Sequence, residues 1–271
     1  MRTQRFVPLL PFLAPLLLIT LCSYRATAGS VFLFSTGDAS LDALTKQTLE
    51  GYGHSVDVGP QYVSFNGSRS LEGYSTVLLV PSVNWFFGDM PVAGQNALKN
   101  FVAVGGGLVT GEWVVWKTGA LHEFQALYAA IPVLSTSDYR TTSRITYNSV
   151  VDDPILNRGI PTRFTFLADD IAGSESFFKA KGGATTFYGS DFGRDGQGLV
   201  GWDYGEGRVI SFSTVLGPLE LRDSTYSRLL SNAIDWSASG PGAVPEPSTV
   251  ILLGLGALSV MRYGYRSRRA G

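Results

Sequence analysis

The sequence predicts an α/β domain with a doubly wound, flavodoxin-like, mostly parallel sheet and a strand-rich C-terminal half. Three observations predict it. Short, continuous apolar runs alternate with helical patterns through the first 130 residues, as in sheets covered by helices on both faces. The connections are short and rich in glycine, which number 32 in the chain. From about residue 145 onward strand patterns follow one another with few helical interruptions.

The elements follow in order. Residues 31–34 are a short apolar strand, and residues 40–51 a helix with Leu41, Leu44, Thr45, Thr48 and Leu49 at helical spacing, ended by Gly51 or Gly53. Residues 54–58 alternate as a second strand. Residues 74–80 form a third, whose run Val77, Leu78, Leu79 and Val80 predicts burial on both faces. Residues 90–104 read as a helix turning Leu98, Phe101 and Val102 inward, closed by the glycines 105–107, with a fourth strand at 108–110. The pattern then predicts a helix over 113–130, ending before Pro132. Residues 145–147, 176–178, 185–188, 199–204 and 208–213 read as strands, the last two as a hairpin around Gly205, Glu206 and Gly207. Residues 221–236 close the domain as one amphipathic helix with Leu229, Leu230, Ala233 and Trp236 on its apolar side.

Both chain ends read as targeting segments. Arg2 and Arg5 precede an apolar stretch, residues 6–22, and Ala26, Thr27 and Ala28 fit the small-x-small cleavage pattern of a signal peptide. Leu21 stands where a lipoprotein signal needs a small residue, so cleavage after Ala28 is expected. The single cysteine, Cys22, leaves with that segment. A mature chain beginning at Gly29 then has no disulfide, thiolate metal site or cysteine nucleophile. At the other end, residues 250–261 are uncharged and precede Arg262, Arg266, Arg268 and Arg269. As a helix they span roughly 18 Å at about 1.5 Å per residue, short of a hydrocarbon core of about 30 Å, a gap that flanking tyrosines and arginines can bridge. The arginines place the C-terminus on the cytoplasmic side of the inner membrane.

This C-terminus resembles a PEP-CTERM sorting signal. Pro245, Glu246 and Pro247, the apolar segment and the arginine cluster stand in the family's order. The resemblance implies a Gram-negative bacterium, export across the inner membrane, transient anchoring there, and processing by the membrane protease exosortase before release to the cell surface or beyond. The expected division is a signal peptide over 1–28, a domain over 29–238, a Pro/Gly linker and motif over 239–247, and a membrane helix with basic tail over 248–271. Without the seven arginines of the two end segments, 14 basic residues face 22 acidic ones, a net charge of −8. Such a domain is a poor partner for nucleic acid.

The domain itself resembles the class I glutamine amidotransferase-like fold, in its non-catalytic, trehalose-utilisation-type members. The resemblance covers residues 31–236. It rests on the order of the third strand, the helix with its Gly105–Gly106–Gly107 end, the loop at 153–161, and the closing strand 207–213 with helix 229–236. The catalytic branch of that family places a cysteine on the turn after the fourth strand. Here Glu112 or Trp113 stands in that neighbourhood, and His54 and His122 lie upstream of where the family's histidine belongs. Glutamine hydrolysis is therefore not expected, and no catalytic residue, cofactor or metal ligand is assigned. Asp191 and Asp195 do not match the EF-hand spacing.

What remains is the crevice beyond the carboxyl ends of the strands, where such sheets bind ligands. Asp38, Asn84, Trp85, Glu112 and Trp113 fall there in the predicted topology. Tryptophans interleaved with polar side chains suit sugar rings, so extracellular polysaccharide is the expected ligand class. The alternative leaves Glu112 as a helix cap and packs Trp85, Phe86 and Phe87 over the sheet edge. Two readings follow: a non-enzymatic surface or matrix protein, or a divergent polysaccharide hydrolase with Glu112 and Asp38 as its carboxyl pair. Intact-mass analysis of the exported protein is expected to return a species lacking residues 250–261. A mature form that keeps them while its exosortase is active would overturn the sorting assignment.

Overall fold

The computed structural model describes residues 29–193 and 196–240. The signal peptide, the sorting motif and the C-terminal apolar segment lie outside the described residues. Among those described, no helix is long and apolar enough to cross a membrane.

The first half follows the expected alternation: β1 (Ser30–Ser35), α1 (Ala39–Gly51), β2 (Ser55–Gln61), β3 (Thr76–Leu79), α2 (Val92–Ala103), β4 (Gly107–Thr110) and α3 (Glu112–Ala120). The second half is mostly strand: β5 (Val133–Arg140), β6 (Arg144–Ser149), β7 (Arg163–Leu167), β8 (Glu175–Ala180), β9 (Thr185–Ser190), β10 (Gln197–Tyr204) and β11 (Gly207–Phe212). Helices α4 (Pro218–Arg222) and α5 (Ser224–Ala238) follow. The main sheet has the order β2-β1-β3-β4-β11-β10-β9-β6-β7, and β5 pairs with β8 in a separate ribbon. Strands β2, β1, β3, β4 and β11 are mutually parallel. With β11 in fifth place this is the flavodoxin order. Beyond β11 the sheet continues antiparallel through β10, β9, β6 and β7.

The strand side chains sort the core into two layers. Val31 and Leu33 of β1, Leu78 of β3, Val109 of β4 and Ile210 of β11 pack with Leu41 and Leu49 of α1 and Leu230, Ala233 and Ile234 of α5. Their alternates, Phe32, Phe34, Val77, Leu79, Leu108 and Val209, pack with Leu98 and Val102 of α2 and Val114 and Val115 of α3. The period of two along each strand puts one set on each face. That is why β3 and β4 are buried at every position and read as continuous apolar runs. The change of direction comes at the β10–β11 hairpin, where Tyr204 pairs with Gly207 across a two-residue loop. Gly205 opens that loop at φ +63°, the positive value that primed hairpin turns require at this position.

Two helix assignments need correction. The predicted helix over 113–130 ends at Ala120. The chain then turns through His122 (φ 56°) and Phe124 (φ 53°). Three contacts hold the turn: Asp89 Oδ1 accepts the Phe124 amide at 2.9 Å, Glu123 pairs with Lys117 at 2.5 Å, and the Phe124 ring is fully buried. The expected single helix over 221–236 is two, because Asp223 ends α4 and caps α5, accepting the amides of Thr225 and Tyr226 at 2.9 Å each. Strands β5 and β7 were not expected.

Helix α2 lies on the loop that carries Phe65, and a Cβ at Gly94 would stand 2.0 Å from the Phe65 carbonyl oxygen. Backbone on both sides leaves nothing flexible to give way. Gly94→Ala is therefore expected to cost about 1–3 kcal/mol, as overpacking does, read as a lower urea midpoint with the far-UV spectrum unchanged. A variant as stable as the parent would show that α2 can lift off the loop freely.

Candidate functional site

At the switch point between β1 and β3 the polar residues are committed to one another. Asp38 is the N-cap of α1, its Oδ1 accepting the amides of Ser40 at 2.7 Å and Leu41 at 3.2 Å. Asp42 is buried beneath it and accepts from the Thr36 amide and hydroxyl at 2.7 Å each and from the Ser35 hydroxyl at 2.6 Å. Asn84 crosses the crevice, donating to the Ser35 carbonyl at 3.0 Å while its Oδ1 accepts the Ser82 amide at 3.2 Å. These bonds fix the loop after β1 to the loop after β3.

Glu112 behaves differently. It is the first residue of α3, behind Gly111, which offers no side-chain cap. Glu112 is 1% exposed, and neither carboxyl oxygen has a hydrogen-bond partner within the protein. It is therefore not the helix cap of the alternative reading. Burial raises its pKa well above the ordinary carboxyl value, helped by the nearby charges of Glu175, Glu220 and Asp170.

The strand ends beside it carry more buried acids. Thr214, just past β11, accepts the Glu112 amide at 3.4 Å through its carbonyl and is bridged to Glu175 at the head of β8. Glu175 Oε1 accepts from the Ser213 hydroxyl at 2.7 Å, and its Oε2 takes the Arg140 guanidinium at 2.6 and 2.9 Å. Ser213 lies 3.0 Å from the Tyr147 hydroxyl, and Thr214 lies 2.7 Å from that of Tyr226. Burial raises the Glu175 carboxyl despite Arg140. It also lifts Glu220 to about 8, although Glu220 accepts the amides of Asp169 and Gly217 at 2.9 and 3.1 Å.

Trp113, the residue after Glu112, belongs to an aromatic cluster. Trp113 is buried and stacks on Trp85, with ring centroids 4.7 Å apart and planes at 21°. Trp116 meets both edge-on at 5.3 and 6.0 Å and donates its indole N–H to the Ser137 carbonyl at 2.9 Å. Tyr139 closes on Trp113 and Trp116 from the β5 side and is 50% exposed, and Phe86, edge-on to Trp85, is 64% exposed. Of the five residues expected in the crevice, the fold thus groups Trp85, Trp113 and Glu112. Asp38 is a helix cap and Asn84 a loop brace.

Sequence reasoning missed Glu175, Tyr147, Arg140, Glu220 and Tyr226. Glu175 had one readable signal, a lone acid heading an apolar strand. Tyr147 comes from β6, Arg140 from the β5–β8 ribbon and Glu220 and Tyr226 from α4 and α5, so only the tertiary fold brings them together. Among the described residues no group of three His, Cys, Asp or Glu side chains could hold a metal ion. The two histidines serve structure or face solvent: His54 is buried against the Ser231 hydroxyl at 2.8 Å, and His122 is exposed. The open groove of the domain lies elsewhere, at the amino ends of β3 and β4.

Residues 243–269 match the PEP-CTERM protein-sorting motif. The chain carries an exosortase sorting signal. That motif implies export and exosortase-mediated sorting to the cell surface. The domain is similar in structure to a ThuA-like protein from Parabacteroides merdae, at 15% identity and a TM-score of 0.58, over 78% of this chain and 90% of that one. A ThuA-like protein from Bacteroides uniformis matches at 11% identity and 0.57, over 80% and 94%. A β-galactosidase from Rahnella matches at 13% identity and 0.54, over 75% of this chain but only 30% of its own. The fold is thus ThuA-like. No curated protein matches by sequence.

The buried acids set a pH dependence. A carboxyl whose pKa is raised by folding keeps its proton in the native state and loses it in the unfolded one. Stability is then full below the ordinary value of 4.5 and falls as pH rises toward the folded value, about 8 for Glu220. The thermal midpoint is expected to be several degrees higher at pH 5 than at pH 8. Glu112→Gln should flatten that slope and raise the midpoint at pH 8. An unchanged slope would show that Glu112 does not stay protonated in the native state.

Proposed function

We propose that the sorted domain is a non-enzymatic binding protein of the cell surface or extracellular polymer matrix, with a glycan as its ligand. The observation that carries the reading is the aromatic platform at the strand ends. Trp85, Phe86, Trp116 and Tyr139 present ring surface to solvent, and Trp113 braces Trp85 from beneath. Such rings cover the apolar C–H faces of sugars, and little conformational freedom is lost when rigid side chains bind. The charge of the domain favours a neutral glycan over an anionic one.

The hydrolase reading is weaker. A glycosidase needs two ionisable carboxyls flanking one bond. Asp38 is spent on the amides of α1, Glu175 is held by Arg140, and Glu112 has only 1% of its surface exposed. A glycan array probed with the full chain tests the proposal, with polysaccharide hydrolysis measured in parallel. Trp116→Ala and Phe86→Ala are each expected to weaken binding by about 1–2 kcal/mol, tenfold or so, as loss of an aromatic contact does, and to leave the fold intact. Trp113→Ala is expected to destabilise the domain by about 3–5 kcal/mol as a core truncation. Binding indifferent to both surface variants, or sugar release that Glu112→Gln abolishes, would overturn the binder reading.

A further inference from the structure

At the pole opposite the platform a groove of about 530 Å³ opens between the loop at 67–75 and α2. Its wall is mainly apolar: Leu71, Tyr74, Ala97, Phe101 and Val104 line it, and Val104 at its rim is 74% exposed. No described segment fills it. We propose that this groove is the docking site for residues 241–247 of the same chain, the proline-rich segment that carries the sorting motif.

Position is the first argument. Ala238, the last residue of α5, is itself part of the groove wall. The end of that helix is fixed: the Ser237 hydroxyl lies 3.2 Å from that of Thr76 at the start of β3, and the Arg208 guanidinium donates to the Ser239 hydroxyl at 2.8 Å. The chain therefore leaves the domain at the mouth of the groove. Seven residues reach at most roughly 25 Å from there, so the motif cannot go far from it.

Chemistry is the second. The segment contains Pro241, Ala243, Val244, Pro245 and Pro247, and one charge, Glu246. Proline-rich segments bind grooves lined with aromatic rings, and proline lowers the entropy lost on ordering. Tyr74 and Phe101 supply the rings. The wall holds one cation, Arg69, and one acid, Glu72; Asp57 holds the Arg69 Nη2 at 2.6 Å, which leaves further donors of the guanidinium fork for Glu246. A tether this short also gives a millimolar effective concentration, so modest contacts suffice. Occupancy of the groove would then set how much of the Pro245–Glu246–Pro247 motif a protease meets.

Disulfide trapping tests the docking directly. In the full chain in detergent, with Cys22→Ser to remove the native thiol, Val104→Cys is combined with Val244→Cys. The control pairs Val244→Cys with Ser55→Cys, an exposed site at the same end of the sheet but outside the groove. On mild oxidation the groove pair is expected to close within one molecule at least fivefold faster than the control. Asn100→Trp, which fills the groove from an exposed wall position, is expected to remove that advantage. Equal rates for the two pairs would overturn the proposal, as would a disulfide-linked dimer as the main product of the groove pair, which would make the occupant a second copy.

Discussion

The arrangement at the carboxyl ends of the sheet depends on one pairing, the insertion of β11 between β4 and β10. On one side Arg208, Val209, Ile210 and Ser211 align in parallel with residues 107–110. On the other the same strand runs antiparallel to β10. This strand joins the doubly wound half of the domain to the antiparallel half, and it delivers Ser213 and Thr214 to the turn where α3 begins. Its partner β4 is about a hundred residues earlier in the chain. The site therefore cannot assemble from local structure. It forms when the last strand finds its place, a late and slow event in folding by the rule that distant pairings cost most in loop entropy.

The chemistry at that junction is governed by desolvation. Glu112, Glu175 and Glu220 all lie where charge is costly, and each finds a different solution. Glu175 takes a guanidinium, Glu220 takes two backbone amides, and Glu112 takes neither, burial raising its pKa instead. A buried carboxyl with no partner weakens a fold at neutral pH. Here it is 1% exposed.

Much of the fold was legible because burial on two faces leaves an unbroken apolar run, and β1, β3 and β4 have one. The errors also have physical causes. The apolar spacing after Ala120 continues in helical phase through Leu127, but the chain satisfies it with turns, because Asp89 and Lys117 capture the Phe124 amide and Glu123. Asp89 lies 35 residues earlier in the chain. Strand β5 is largely polar, with its pairing to β8 broken between Ser135 and Tyr139 and Ser137 at φ 62°, so it has no clean period. Strand β7 did carry a signal: Phe164 and Phe166 are buried while Arg163, Thr165 and Leu167 are exposed. Asp223 followed by Ser224 and Thr225 was a readable cap inside a continuous apolar pattern. At the site, the tryptophans and Glu112 could be placed because they follow a strand directly. Tyr147 and Glu175 could not, because only the completed sheet brings them near.

The polarity of α5 has a consequence of its own. It runs back along the sheet, so the chain leaves at the end where β1 starts, with Gly29 and Gly240 at the same pole of the domain. The exposed rings of Phe86 and Tyr139 occupy the other pole. Anything that grips the C-terminal segment, before cleavage or after it, holds the molecule by its foot. The ring surface then lies at the end of the domain farthest from that hold, and the length of the tether sets how far it can reach.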